Sequence, residues 1–141
     1  MSFYLDANVL VALFVTDALT KTADAWIDSD PGDLVVSDFA KIEVAAVVSR
    51  QVRVGSMTLD AAREALVDFD VWVRRMASAV ETSASDLALA ERFVRDFATK
   101  LSAPDALHLA VTLNHGFQLV TFDARLADAA RLLGSSVITP S

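Results

Sequence analysis

Short apolar segments recur along this chain, separated by longer stretches whose apolar residues step by three and four. That alternation constrains the fold more than any other feature. Phe3-Tyr4-Leu5, Leu34-Val35-Val36, Phe117 to Phe122 and Val137-Ile138 read as strands, apolar with little of the alternation a half-exposed sheet shows, as strands buried on both faces are. Helical patterns fill the intervals. Asn8 to Phe14 gives a turn or two, and Ala18 to Asp28 a helix stopped by the turn Asp30-Pro31-Gly32-Asp33. A helix capped by Ser37 or Asp38 runs to about Val52. Thr58 caps a longer one, with Leu59, Ala62, Leu66, Phe69, Val73 and Met76 on one stripe. Ser85 to Lys100 forms the next. Pro104 opens a helix that ends near His115 with Gly116 beyond it, and Ala124 to Leu133 is closed by Gly134. Strands joined by helices give βαβ units and a parallel sheet covered on both faces, an α/β fold.

The chain has 141 residues, the size of one domain, and its few Gly and Pro are scattered, so a single domain over residues 1–141 is expected. Its mean hydropathy is high at +0.43, but the longest strictly apolar run, Val9 to Val15, falls far short of the ~18 residues of a membrane span. The opening Met-Ser-Phe-Tyr-Leu-Asp has no basic stretch and no small-residue cleavage site, so no secretory signal is expected and a cytoplasmic location is the default. No cysteine is present, which excludes disulfides, thiolate metal sites and a cysteine nucleophile. Four scattered glycines cannot build a phosphate cradle, and no Gly-x-Ser-x-Gly elbow occurs. A net charge of −7 excludes a purely electrostatic nucleic-acid binder. Fifteen of the nineteen acids are Asp. Asp is a poor helix-interior residue but a good cap and hard-metal ligand, so its positions matter.

In open α/β sheets, ligands bind beyond the carboxyl ends of the strands. Asp6 ends the first strand and Asp123 follows a late one. Glu43 sits mid-helix with Ala46 and Val47 on its own face, so it points inward or at a cleft wall. Asp105 opens the helix that begins at Pro104. Each of the three Asp has a simpler reading as a helix cap, Asp105 through the pair Ser102-x-x-Asp105. Taken together, four carboxylates in one crevice repel one another and persist only around something positive. Oxygen donors without thiolates favour Mg²⁺ or Mn²⁺, ions suited to phosphodiester hydrolysis.

The ordered motifs Leu5-Asp6-x-Asn8, Glu43 after Ser37-Asp38, Pro104-Asp105-Ala106-x-His108-Leu109-Ala110 and Thr121-Phe122-Asp123 resemble a PIN domain. The pattern is similar to the small VapC-type toxins of bacterial type II toxin–antitoxin pairs, and it spans Phe3 to Gly134. The resemblance implies a three-layer α/β/α sandwich with a mostly parallel sheet, and an endoribonuclease dependent on Mg²⁺ or Mn²⁺. It assigns the acidic quartet to Asp6, Glu43, Asp105 and Asp123, with Asn8 and Thr121 in support. It also implies a homodimer and a small antitoxin partner. Arg50, Lys100 and Arg125 flank the motif segments and are candidates to hold RNA phosphates, although solvated surface charges are an equal alternative. His108 is expected to be a core or helix-surface residue. A phospho-aspartate receiver would need an acidic neighbour for Asp6 and a Lys after the late strand, and a haloacid-dehalogenase-type phosphatase would need Asp-x-Asp where Asp6-Ala7-Asn8 stands. A PIN-like module that binds a protein without cutting RNA is the remaining alternative.

Overall fold

Each strand of the computed structural model, which describes residues 1–141, is short and pairs only in parallel. β1 (Ser2–Leu5), β2 (Asp33–Ser37), β3 (Ala77–Val80), β4 (Gln118–Val120) and β5 (Val137–Ile138) lie in the order β3-β2-β1-β4-β5. The helices are α1 (Ala7–Phe14), α2 (Thr20–Asp28), α3 (Asp38–Arg53), α4 (Leu59–Met76), α5 (Ala84–Arg95), α6 (Ala103–His115) and α7 (Ala124–Leu132). No helix is long and apolar enough to cross a membrane.

Alternating side chains of the same strands fill two cores. Phe3, Leu5, Leu34, Val36 and Val120 pack with residues of α1, α3 and α4 on one face. Tyr4, Val35 and Leu119 pack with residues of α5, α6 and α7 on the other. The result is the expected three-layer α/β/α sandwich, with β1 buried at its centre.

Chain direction across the sheet reverses beside β1: the path runs outward through β2 to β3, then returns to place β4 on the opposite side. Such a switch point opens a crevice at the carboxyl ends of the two neighbouring strands. The Asp6 N–H donates to the Val120 carbonyl at 3.0 Å, which continues the β1–β4 pairing one residue past the end of β1.

Two elements differ from the sequence expectation. β3 reads Ala-Ser-Ala-Val and gives no strand signal, because Ala and Ser are weak strand formers and this edge strand is largely exposed. The helix expected over Ser85 to Lys100 ends at Arg95. Asp96 takes an extended backbone, its side chain accepts from the Ala98 N–H, and a separate 3₁₀ turn (Phe97–Thr99) follows.

Candidate active site

Asp6 stands at the N-cap position of α1 but caps nothing with its side chain. Its Oδ2 accepts instead from the Thr121 hydroxyl at 2.7 Å, just past β4. Thr121 Oγ1 also accepts from the Asp123 N–H at 3.0 Å and from Asn8 Nδ2 at 3.2 Å, and Asn8 Oδ1 accepts from the Phe122 N–H. One hydroxyl thus locks the end of β1, the start of α1 and the loop after β4 into a single arrangement. Only charged and polar groups in a fixed register satisfy such a buried set.

Helix geometry brings up the other acids. Glu43 lies on α3, whose apolar side (Ala40, Val44, Val48) is buried, so its partly exposed carboxylate is carried to the rim of the crevice. Asp105 is the third residue of α6, where the Ser102 hydroxyl accepts its N–H. Asp123 does cap α7, accepting from the Arg125 and Leu126 N–H groups. The capping alternative therefore holds for Asp123 and fails for Asp6. Capping does not remove Asp123 from the site: Asp6, Asn8, Glu43, Asp105 and Asp123 line one cavity of about 330 Å³. Asp17, which the sequence did not single out, lines it too, and no Lys or Arg does.

The electrostatics fit carboxylates crowded together. Burial pushes the Asp6 carboxyl above its ordinary value, against the pull of His108 and the Thr121 hydroxyl. Burial and the charges of Asp6 and Asp123 push Asp105 up as well. A group whose folded pKa is raised costs stability once ionised, so at neutral pH Asp105 works against the fold. Asp105→Asn is expected to raise the Tm in EDTA by a few degrees. A clear fall in a thermal scan would mean that its carboxylate acts chiefly as a cap.

His108 is the residue the sequence undervalued. It is in the core, 1% exposed, as expected, but it also touches the acids. Its Nε2 contacts Glu43 Oε1 and lies 3.6 Å from Asp6 Oδ1, and its Nδ1 lies 2.6 Å from the Tyr4 hydroxyl. Burial alone would lower its pKa, but the Glu43 hydrogen bond and the surrounding carboxylates outweigh burial and hold it above the ordinary value. The available signal was spacing, since His108 sits one turn beyond Asp105 on α6.

The basic residues fall into two places. Lys100 and Arg125, both exposed, line one cavity of about 390 Å³, and neither joins an ion pair. Arg50 is exposed near the end of α3, two turns beyond Glu43.

The PIN domain family profile matches residues 3–132. The chain belongs to the PIN-domain family. Several solved structures resemble it over nearly their whole length. VapC20 of Mycobacterium tuberculosis, described as a sarcin–ricin loop cleaving toxin, superposes with a TM-score of 0.71 at 22% identity, covering 90% of this chain and 94% of that one. VapBC2 of Rickettsia felis, bound to a promoter DNA fragment, gives 0.73 at 12% identity over all of both chains. A toxin–antitoxin complex from Klebsiella pneumoniae gives 0.71 at 18% identity, covering 98% and 97%. No curated protein matches the PIN chain significantly in sequence.

Oxygen donors from Asp6, Glu43, Asp105 and Asp123 around one cavity suit a hard divalent cation, and nothing in the cavity lining would compete with it for them. Single carboxylate oxygens of Asp6 and Glu43 lie within 4.8 Å of each other and of a His108 ring nitrogen, whereas Asp105 and Asp123 line the same cavity outside that close cluster.

Proposed function

We propose that this protein is a divalent-metal-dependent endoribonuclease, a cytoplasmic single-domain toxin of a type II toxin–antitoxin pair. The observation that carries this reading is the convergence of Asp6, Glu43, Asp105 and Asp123 on one cavity beside the β1–β4 switch point. In this reading the four carboxylates hold one or two Mg²⁺ or Mn²⁺ ions. A divalent ion held there would supply Lewis-acid activation of a water and charge stabilisation for in-line phosphodiester hydrolysis. Thr121 fixes the Asp6 carboxylate by its hydrogen bond, and Asn8 fixes Thr121. No side chain need act as nucleophile. The alternative, a module that binds a partner without cutting, has no use for a buried Asp6 and a half-buried Asp105 whose ionisation their surroundings resist. The test is incubation with total tRNA and ribosomal RNA in Mg²⁺ or Mn²⁺ against EDTA. Cleavage only with the ion is expected, and no cleavage in either sinks the reading.

Lys100 and Arg125 supply the positive surface for RNA phosphates, with Arg50 a further contact on the α3 side. Lys100 holds a left-handed backbone at φ 55, uncommon for a residue with a side chain. Removing both Lys100 and Arg125 in an Asp6→Asn background should lower the salt slope of single-stranded RNA binding by about 1.4, the share of two phosphate contacts. An unchanged slope would return both to ordinary surface charge.

We also propose a homodimer and an antitoxin partner. Supporting this, Leu87 is 56% exposed and lines an apolar groove with Phe39, Val94, Pro104 and Leu107. That groove is our candidate face for the second copy. Light scattering at micromolar concentration should give a dimer mass; a monomer would contradict it.

A further inference from the structure

Glu43 has apolar neighbours one turn away on either side along α3, at Phe39, Ala40, Ala46 and Val47. Its helix offers no local group to steer the carboxylate, and an unrestrained Glu side chain loses rotamer freedom when it is fixed. The steering group comes from across the fold. We propose that His108 and Tyr4 form a buried brace that sets the Glu43 carboxylate facing the acidic cavity; this rests on the metal-site reading above.

Four contacts build the brace. His108 Nε2 meets Glu43 Oε1, and His108 Nδ1 meets the Tyr4 hydroxyl at 2.6 Å. The Tyr4 hydroxyl also meets Ser37 Oγ at 2.7 Å. Ser37 Oγ accepts the Ala40 N–H at 2.9 Å, which is the N-cap bond of α3. One phenol oxygen on the central strand therefore fixes both the start of the helix that carries Glu43 and the imidazole that holds its carboxylate. Tyr4 and Ser37 are fully buried and His108 nearly so, with the rings of Tyr4 and Phe39 packed at 5.6 and 5.1 Å from the imidazole. Close packing leaves the ring no room to turn.

His108 positions Glu43 rather than binding the ion itself. Its two nitrogens are taken by Tyr4 and Glu43, and it does not line the acidic cavity. A buried group that orients a metal ligand typically contributes 10–100-fold in metal affinity.

Calorimetric titration of Mn²⁺ into the whole protein and its variants tests this, with Tm measured alongside. His108→Ala should weaken Mn²⁺ binding by about 10–100-fold. His108→Gln should recover most of the loss, because its amide still donates to Glu43. Tyr4→Phe should give a smaller loss. Pulsed electron paramagnetic resonance of the Mn²⁺ complex should show no coupling to nitrogen. Wild-type affinity in His108→Ala, or in Tyr4→Phe if the former does not fold, overturns the brace while leaving the metal site standing. Nitrogen coupling also overturns it, by making His108 a ligand. A wild-type protein that binds no Mn²⁺ overturns the metal reading and the brace with it.

Discussion

Asp6→Asn is expected to remove ion-dependent RNA cleavage, by more than the ~100-fold that loss of a group merely supporting a metal ligand costs. Asp6 is the most buried of the five acids that line the cavity, is held at 2.7 Å by Thr121, and directly follows the central strand. The amide keeps its shape, and its carbonyl oxygen still accepts the Thr121 hydroxyl, so the fold should survive. What disappears is the charge. Burial makes that charge costly, so the variant's Tm in EDTA should equal or exceed that of the wild type. Gel-resolved cleavage and a thermal scan on the same preparation read both halves. Full cleavage by a folded Asp6→Asn protein would remove the nuclease proposal.

Asp86→Ala should have the opposite sign and the largest effect on stability. Asp86 is fully buried where α5 meets α6. Its Oδ2 accepts the Ser83 N–H at 2.9 Å and its Oδ1 accepts from Asn114 Nδ2 at 2.7 Å, while Ser83 Oγ accepts its own N–H. Two hydrogen bonds to a charged group are lost, one of them half of a capping box, a loss of about 3 kcal/mol and a Tm fall near 10 °C for a chain of this size. A fall of only a degree or two would show that water replaces these contacts cheaply.

These acids also set the pH profile. Burial would raise Asp86, but its Ser83 and Asn114 hydrogen bonds hold it below the ordinary 3.8. Its stabilisation is therefore present above that pH and lost as pH falls through its depressed value. Asp38 follows the same rule: burial is outweighed by the N–H and hydroxyl of Thr82. Asp6 and Asp105 are raised, so their cost is full above their raised values and is relieved as pH falls toward 3.8. His108, also raised, stabilises below 6.5 and stops doing so as pH rises through its shifted value. In EDTA the Tm should therefore peak in mild acid and decline on both sides.

The strands rich in Val and Leu were legible because burial on both faces leaves a continuous apolar run, as in β1 and β2. β3 was not, since Ala-Ser-Ala-Val at an exposed edge carries no such mark. Asp6 and Asp123 could be placed because strand ends in an α/β sheet fix where a crevice opens, and Glu43 because a carboxylate on an apolar face needs a partner. His108 resisted for a physical reason. Its neighbourhood on α6 is the Ala-Leu-x-Leu-Ala of a buried helix, and its partners Glu43 and Tyr4 lie 65 and 104 positions away. Asp17 was missed for the converse reason: in sequence it is simply the loop acid that accepts the Leu19 N–H.

The switch point beside β1 has a further consequence for how the molecule comes into being. The first acid of the cavity arrives just after β1, and the last only after β4. A growing polypeptide that stops at the end of β4 lacks Asp123. On the nuclease reading, a nascent chain that has not yet passed β4 is harmless to the RNA around it, and destructive capacity waits on the loop that follows that strand.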